Sequence, residues 1–347
     1  MLREERISGF VEEIWQWYAV QKRTLPWRDL DLRDDTERAY RILVSEVMLQ
    51  QTQVERVKVI YERFLERFPT LRRLAGASNR EVILAWRGMG YNSRALRLRD
   101  AACRIVEDFN GVFPKEMKPL ESIKGIGHYT AAAIRNFAFN IPTPCIDTNI
   151  RRILHRTFAG PERPDGTWAK DDRYVLHIAE EVLDAALQGS QRDGSRRCAP
   201  HHDTLHAIPH DARNWHAALM DFGSLVQTKK NPRWGLCPLT RSGRMKTTQQ
   251  LFERSQRRRS QLEAHSSKLR EPGRRISGRF VPNRIVRGRI VEALRDAPAG
   301  LSLDALGRRV AADWSHARHR QWLGGILARL QRDRLVSERA RKFILCD

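Results

Sequence analysis

Two features of this sequence have the residue types and spacing of chemistry on a nucleotide. The first is Ile123-Lys124-Gly125-Ile126-Gly127-His128-Tyr129-Thr130. Gly125 and Gly127 flank a single apolar residue, so the backbone turns sharply there with no Cβ in the way. The turn opens a helix at Tyr129, and the unpaired N–H groups of such an opening seat a phosphate oxygen. The second feature is Asp147, which opens another helix through Thr148-Asn149-Ile150-Arg151-Arg152. An aspartate ahead of a helix is more often a cap than a catalyst, and most Gly-x-Gly pairs are ordinary turns. It is the whole string, a backbone-binding turn followed by a carboxylate, that points to a nucleotide.

That string, Ile123-Lys124-Gly125-Ile126-Gly127-His128-Tyr129-Thr130-Ala131 with the later Asp147, resembles the helix-hairpin-helix DNA glycosylase superfamily. Ser45-Glu46-Val47-Met48-Leu49-Gln50-Gln51-Thr52-Gln53-Val54 is similar to the signature of its adenine DNA glycosylase (MutY) branch. Leu25-Pro26-Trp27-Arg28 and Gly88-Met89-Gly90-Tyr91 belong to the same pattern, and the resemblance spans roughly residues 5 to 240. It implies excision of a base, a reaction akin to glycoside hydrolysis, in which one carboxyl group donates a proton and another stabilises the sugar cation. Glu46, bordered by Val47 and Met48, is expected to be partly desolvated and to protonate a purine ring nitrogen. Asp147, oriented by Asn149, is expected to stay ionised beside the sugar.

Tyr129 stands where strand-nicking relatives carry a lysine, whose amine forms a Schiff base with the sugar. A tyrosine cannot, so base removal without efficient strand cleavage is expected. The resemblance places Gln51 and Tyr91 at wedge positions that fill the stack once the target nucleotide is flipped out. It places Arg23, Leu25, Trp27 and Arg28 around the base; on residue type alone, Leu25 and Trp27 would be core. Lys124, Gly125 and Gly127 are expected at the DNA backbone.

The sequence departs from the branch in four places. Its four cluster cysteines, at Cys-x6-Cys-x2-Cys-x5-Cys, are matched here by Gln227, Trp234, Cys237 and Gly243. A cubane cluster needs a ligand for each iron, so no iron–sulfur cluster and no other cofactor is expected, with Trp234 and Leu236 filling the volume. No counterpart of the Nudix-like domain that reads oxidised guanine is expected. Thr148 replaces the usual glycine after the aspartate, and Ala217 stands where the branch has a polar residue. The favoured substrate is adenine opposite guanine or 8-oxoguanine. A thymine or uracil mismatch glycosylase shares the hairpin, tyrosine and aspartate and is the rival; a third reading is a lesion-binding protein without catalysis.

Composition sets the frame for these residues. The 347 residues suffice for two domains, and a formal net charge of +22 calls for an acidic polymer as partner. From Arg241 onward 26 Lys and Arg face 10 Asp and Glu, so most of the excess lies in the last third. Five cysteines without paired spacing fit a reducing compartment. No apolar run spans a membrane and no signal-peptide core is visible, which leads to the expectation of an intracellular, DNA-associated monomer acting on duplex DNA.

The elements that must position the site are helical. Amphipathic periodicity is expected at 4–21, as two helices over 39–68, and at 79–86, 93–109, 116–123, 171–187 and 215–226. Residues 189–213, with Cys198, His201, His202, His206 and His210, read as a polar surface insertion, since the spacing matches no common metal site. The expected organisation is an all-α, two-lobed helix-hairpin-helix glycosylase domain over 1–240, a basic linker over 241–282, and a winged-helix-like α+β domain over 283–347. In the last, helices at 284–296, 302–312 and 316–333 precede β segments near Val336 and Phe343. Arg318, Arg320, Arg329 and Arg332 on its third helix would suit phosphate contacts.

Overall fold

The computed structural model describes residues 2–192, 208–265 and 271–347. The chain runs α1 (Arg3–Gln21), α2 (Asp35–Leu49), α3 (Val54–Arg67), α4 (Leu71–Ala75), α5 (Asn79–Ala85), α6 (Ser93–Asp108), α7 (Met117–Ser122), α8 (His128–Phe137) and α9 (Thr148–Leu154). A π turn at His155–Ala159 follows, then α10 (Asp172–Arg192), α11 (Ala212–Leu225), a 3-10 turn at Trp234–Leu236, α12 (Pro238–Arg241) and α13 (Gln249–His265). The last part is β1 (Gly273–Ile276), β2 (Arg279–Pro282), α14 (Asn283–Arg295), α15 (Leu303–Val310), α16 (His316–Arg332), β3 (Val336–Arg339) and β4 (Lys342–Leu345). These elements form two compact units, each discontinuous in sequence.

The first unit comprises Met1–Arg28, Lys115–Glu121 and Gly127–Lys268. Its core gathers the apolar stripe of α1, with Phe10, Ile14 and Tyr18 withdrawn from solvent. Phe10 meets Phe158 and Trp215 edge-on at centroid distances of 5.3 and 6.1 Å. Repeats at i, i+3, i+4 and i+7 place these residues on one face of α1, and that face covers α10 and α11. Asn136 on α8 is fully buried and ties down the segment before α9. Its Nδ2 donates to the Thr143 carbonyl at 2.8 Å, and its Oδ1 accepts from Thr143 N at 3.0 Å.

The second unit comprises Asp29–Pro114, Ser122–Ile126 and Leu269–Asp347. Asp34, Thr70 and Ser78 cap α2, α4 and α5 with their side-chain oxygens. Phe64 meets Trp86 at 5.7 Å, both buried. The C-terminal helices share this interior: Ile83 and Leu96 belong to one apolar cluster with Val286, Ile290, Leu294, Leu323 and Leu327. Buried Arg295 of α14 donates to the Ile83 carbonyl at 2.8 Å and to Asn92 Oδ1 at 2.9 Å. β3 and β4 pair antiparallel, with Val336 opposite Leu345, close to where the sequence places them.

The helix boundaries follow the expected periodicity within a few residues, while α4, α12 and the β1–β2 hairpin lack sequence counterparts in that reading. The hairpin occupies the end of the stretch expected as linker, and both its strands pack on α14. The helix expected from Asp147 is shorter than its pattern, because the π turn takes over at His155. Cys198, His201, His202 and His206 lie outside the described residues. His210 stacks on Trp15 at 4.3 Å, and no group of three or more potential metal ligands occurs among the described residues.

His216 of α11 is buried, its Nδ1 2.8 Å from the Ala212 carbonyl and its Nε2 3.4 Å from Asn136 Nδ2. The neutral tautomer that satisfies both protonates Nδ1, and burial depresses the imidazole pKa to about 4. His155, stacked on Trp168, is depressed in the same direction. An unfolded histidine protonates near 6.5 while the folded one resists down to about 4, so stability present above pH 6.5 drains away as pH falls. For His216 alone the loss reaches about 2 kcal/mol by pH 5. Urea midpoints measured between pH 7 and 5 should decline accordingly, and His216→Asn should flatten part of that decline. An unchanged wild-type midpoint across this interval would contradict the burial.

Candidate active site

In the first unit, the site is built around the start of α9. Asp147 is its N-cap, half-buried, with extended backbone. Oδ1 accepts from Asn149 N at 2.8 Å and Ile150 N at 2.6 Å; Oδ2 accepts from Asn149 Nδ2 at 2.8 Å. Burial pushes the carboxyl above its ordinary pKa, and these three donors together with the Arg152 charge oppose that shift. The aspartate is therefore at once a cap and a desolvated carboxylate.

Asn149 is fixed in turn. Its Oδ1 accepts from Arg152 Nη2 at 2.6 Å, and Arg152 also donates to the Gly223 carbonyl at 2.7 Å and the Gln227 carbonyl at 2.5 Å. The close approach of α9 to α11 depends on Gly223. A Cβ built there would lie 2.7 Å from Asn149 Cβ, closer than two such atoms can pack.

α11 also carries Asp221, whose side chain is wholly buried. It gathers the loop after α1. Arg28 grips it with two donors at 2.7 and 2.8 Å, while Arg23 approaches through Nε at 2.7 Å and through its backbone N at 3.1 Å. Both arginines expected at the base are thus charge-compensated by an aspartate that motif reasoning passed over. Leu25 and Trp27, between them, are 5% exposed. Tyr129 lies in the first turn of α8, half-buried, behind the Gly127 N-cap. His128 beside it sits 2.7 Å from Glu121.

In the second unit, the hairpin turn has Ile126 N donating to the Ile123 carbonyl at 2.9 Å. Gly125 adopts φ +104°, which a side chain would strain. Gly127 has an ordinary negative φ, and a Cβ there would meet nothing, so its bareness leaves open surface rather than permitting the turn. Lys124 is exposed. Glu46 lies on α2 with 8% exposure, in line with the desolvation expected of it.

Gln51 and Tyr91, the expected wedge residues, are both exposed loop tips in the left-handed region, at φ 55° and 44°. One buried side chain holds both loops. The Arg94 guanidinium donates to the carbonyls of Val47 (3.0 Å), Met48 (3.1 Å), Met89 (3.2 Å) and Gln50, and to Thr52 Oγ1 (2.9 Å). Its burial lowers its pKa to about 10, which leaves it charged at neutrality. The only sequence sign of Arg94 was an arginine on the apolar side of a helix.

Residues 44–186 match the family described as HhH-GPD superfamily base excision DNA repair protein. A region of 228 residues, 66% of this chain, is 35% identical to 67% of an adenine DNA glycosylase from Mycolicibacterium smegmatis. The mouse adenine DNA glycosylase is 34% identical over 236 residues, 67% of this chain and 41% of that protein. The chain belongs to the HhH-GPD superfamily. Two solved structures share its fold. A thermostable thymine-DNA glycosylase aligns with TM-score 0.54 and 22% identity, over 69% of this chain and 95% of its own. A non-covalent endonuclease III–DNA complex aligns with TM-score 0.51 and 18% identity, over 74% and 99%. The match spans under half of the mouse relative's length.

The four positions that would carry cluster cysteines in this HhH-GPD chain do not suit one. Only Cys237 offers a thiol, and it accepts from Gln227 Nε2 at 3.3 Å. Gln227 Oε1 accepts from fully buried Arg156 at 3.1 Å, and Arg156 lies over the Phe252 ring at 4.8 Å. Trp234 is buried against Phe252 as expected, but Leu236 is not: it is 63% exposed. The 3-10 turn at 234–236 aims it outward, and Leu239, Met245 and Phe252 fill the interior instead.

Asp221→Ala would remove the buried carboxylate shared by two partly exposed guanidinium groups. A denaturant titration should show a loss of about 2–3 kcal/mol, below the scale for a fully buried ion pair broken from one side because solvent reaches both arginines. A loss under about 1 kcal/mol would mean that the loop after α1 does not depend on that carboxylate.

Proposed function

We propose that the chain is a monofunctional DNA glycosylase that hydrolyses the N-glycosidic bond of adenine mispaired with guanine or 8-oxoguanine. The observation that carries this reading is the held, half-desolvated carboxylate of Asp147 in a chain related to adenine DNA glycosylases. Glu46 donates a proton to a ring nitrogen of the extruded adenine, so the base departs neutral. Cationic character on the sugar is stabilised by ionised Asp147, and water adds to the sugar carbon, its released proton restoring the Glu46 acid, to yield free adenine and an abasic site. Because Asn149 and the α9 amides hold Asp147 before substrate arrives, little reorganisation accompanies the reaction.

Tyr129 supports base removal without strand cleavage, since a phenol cannot form the imine through which an amine would eliminate the 3′ phosphate. Gln51 and Tyr91, braced by Arg94, support a wedge role, and exposed Lys124 beside the Gly125 turn supports a phosphate contact. The Gln227–Cys237–Arg156 arrangement supports folding without an iron–sulfur cluster. The partner is duplex DNA. Ala217, buried and unable to hydrogen-bond through its side chain, keeps the thymine or uracil mismatch enzyme as the alternative to be tested.

Single-turnover assays on duplexes bearing adenine opposite 8-oxoguanine, A:G, T:G and U:G, with and without alkali, decide the substrate. Alkali-dependent breaks in the adenine duplexes alone are expected. Breaks confined to T:G or U:G would transfer the assignment to the rival, and tight binding with no breaks would remove the enzyme. Breaks without alkali would refute the monofunctional reading.

Asp147→Asn should lower the rate by roughly 10³-fold or more with DNA affinity retained. Because burial raises the Asp147 pKa, its ionised form costs stability above that pKa and the cost disappears as pH falls below it. The asparagine variant should thus melt no lower than wild type at pH 7, with any advantage shrinking in acid. Wild-type turnover should fall as pH drops through the same ionisation. Purified protein should lack absorbance near 400 nm; stoichiometric iron would overturn the clusterless reading.

A further inference from the structure

A cleft of about 450 Å³ lies within the second unit, where the wedge loops meet the C-terminal helices. Gln51, Tyr91 and Arg56 line one side of it, and Arg284, Arg287 and Arg289 of α14 the other. Among the described residues, no aspartate or glutamate lines it. Arg284 pairs with Glu271 at 2.7 Å and Arg287 with Asp333, both at the margin and partly exposed, so water and salt screen those pairs. The Tyr91 hydroxyl also reaches the Arg284 guanidinium. The cleft is therefore basic and continuous with the two exposed loop tips.

Gly288 adds an independent sign. It lies in the middle of α14, where glycine is unfavourable relative to alanine. A Cβ there would meet nothing within 4 Å, so no internal packing accounts for it. With Arg284 and Arg287 it stands at i+4 and i+1, on the helix face that lines the cleft. A bare stretch of backbone flanked by guanidinium groups suits close approach of a sugar-phosphate chain.

We propose that this cleft binds the backbone of the complementary DNA strand, the one that keeps its nucleotide stacked when the target is flipped. The assignment rests on the reading of Gln51 and Tyr91 as wedge residues. A tip inserted at the base stack has the phosphates of both strands within about a groove width, roughly 6–12 Å. Flipping rotates the target nucleotide out about its own backbone, toward the turn at Gly125 expected to hold that strand, and the stacked strand left beside the wedge is its complement. α14 thus extends the DNA surface of the helical lobe, and the C-terminal segment contributes to affinity for duplex rather than for single strands.

The test uses the full chain and a duplex carrying a tetrahydrofuran abasic analogue opposite guanine. Arg284→Ala combined with Arg287→Ala should weaken binding on the order of 10-fold at 0.15 M salt and lower the slope of log affinity against log salt by about 2. Gly288→Glu should weaken binding without lowering the melting temperature. Gly288→Cys should form a disulfide with a thiol tethered to the complementary strand near the lesion and not with one tethered to the target strand. Unaltered affinity and salt slope in the arginine variant, or cross-links confined to the target strand, would overturn the proposal. So would polyglutamate displacing the duplex through these same arginines with no strand cross-linked. If wild type removes no base from any mismatch yet the cross-link and slope behave as described, the enzymatic reading fails and this one stands.

Discussion

A carboxylate withdrawn from water must be surrounded by donors or give up its charge. Asp147 meets that constraint with the first amides of α9 and the amide of Asn149, and much of the first unit follows from it. To keep Asn149 in place, Arg152 must be held; to hold Arg152, α11 must lie close enough for its carbonyls to be reached. That distance is possible because Gly223 has no side chain. A carboxylate hydrogen-bonded to two backbone amides and the Asn149 side chain is thereby held as a preorganised charge. Burial raises its pKa, so the unliganded protein bears a standing cost for the same environment that would favour a developing cation.

The recurrent device elsewhere is a buried arginine among backbone carbonyls. A guanidinium does not deprotonate in a protein, so once buried it must find acceptors, and it has enough donors to bind several chain segments together. Arg94 fastens the loops at 47–52 and 89–90, Arg295 fastens α14 to the end of α5, and Arg156 ties the π turn to Gln227. At Arg94, a surface that contacts DNA in the proposed function rests on a charge that does not. Rigid support of this kind matters most at Gln51 and Tyr91, whose left-handed backbone is sustained only if the surroundings over-determine it.

In the region matched to cluster ligands, Gln227, Cys237, Arg156 and Glu162 are linked by hydrogen bonds and an ion pair, under an aromatic lid of Trp234 and Phe252. Among the described residues the buried Arg156 Nε finds no acceptor, so the network is only partly satisfied. The same segment delivers Gln227 O to Arg152, so this network stands two hydrogen bonds from Asn149.

Helices with a clear apolar stripe, such as α1, α6 and α14, were readable from sequence because 3.6-residue periodicity is a local property. So were Asp147 as the start of a helix, the strained turn at Gly125, and the missing thiols at 227, 234 and 243, each of which depends on residue type in a short window. The β1–β2 hairpin was not, since its polar, arginine-rich strands gain their order from α14 rather than from their own pattern. Nor was Leu236, which has the composition of core and the position of surface. Asp221, Arg94 and Gly223 escaped for a common reason. Their partners lie tens to hundreds of residues away, and only folding brings a charge to its acceptors or a bare α-carbon to a neighbouring helix. The sequence by itself determined which groups could act on a nucleotide; the tertiary structure decided which groups hold them, because support is a matter of distance in space and local pattern carries no measure of it.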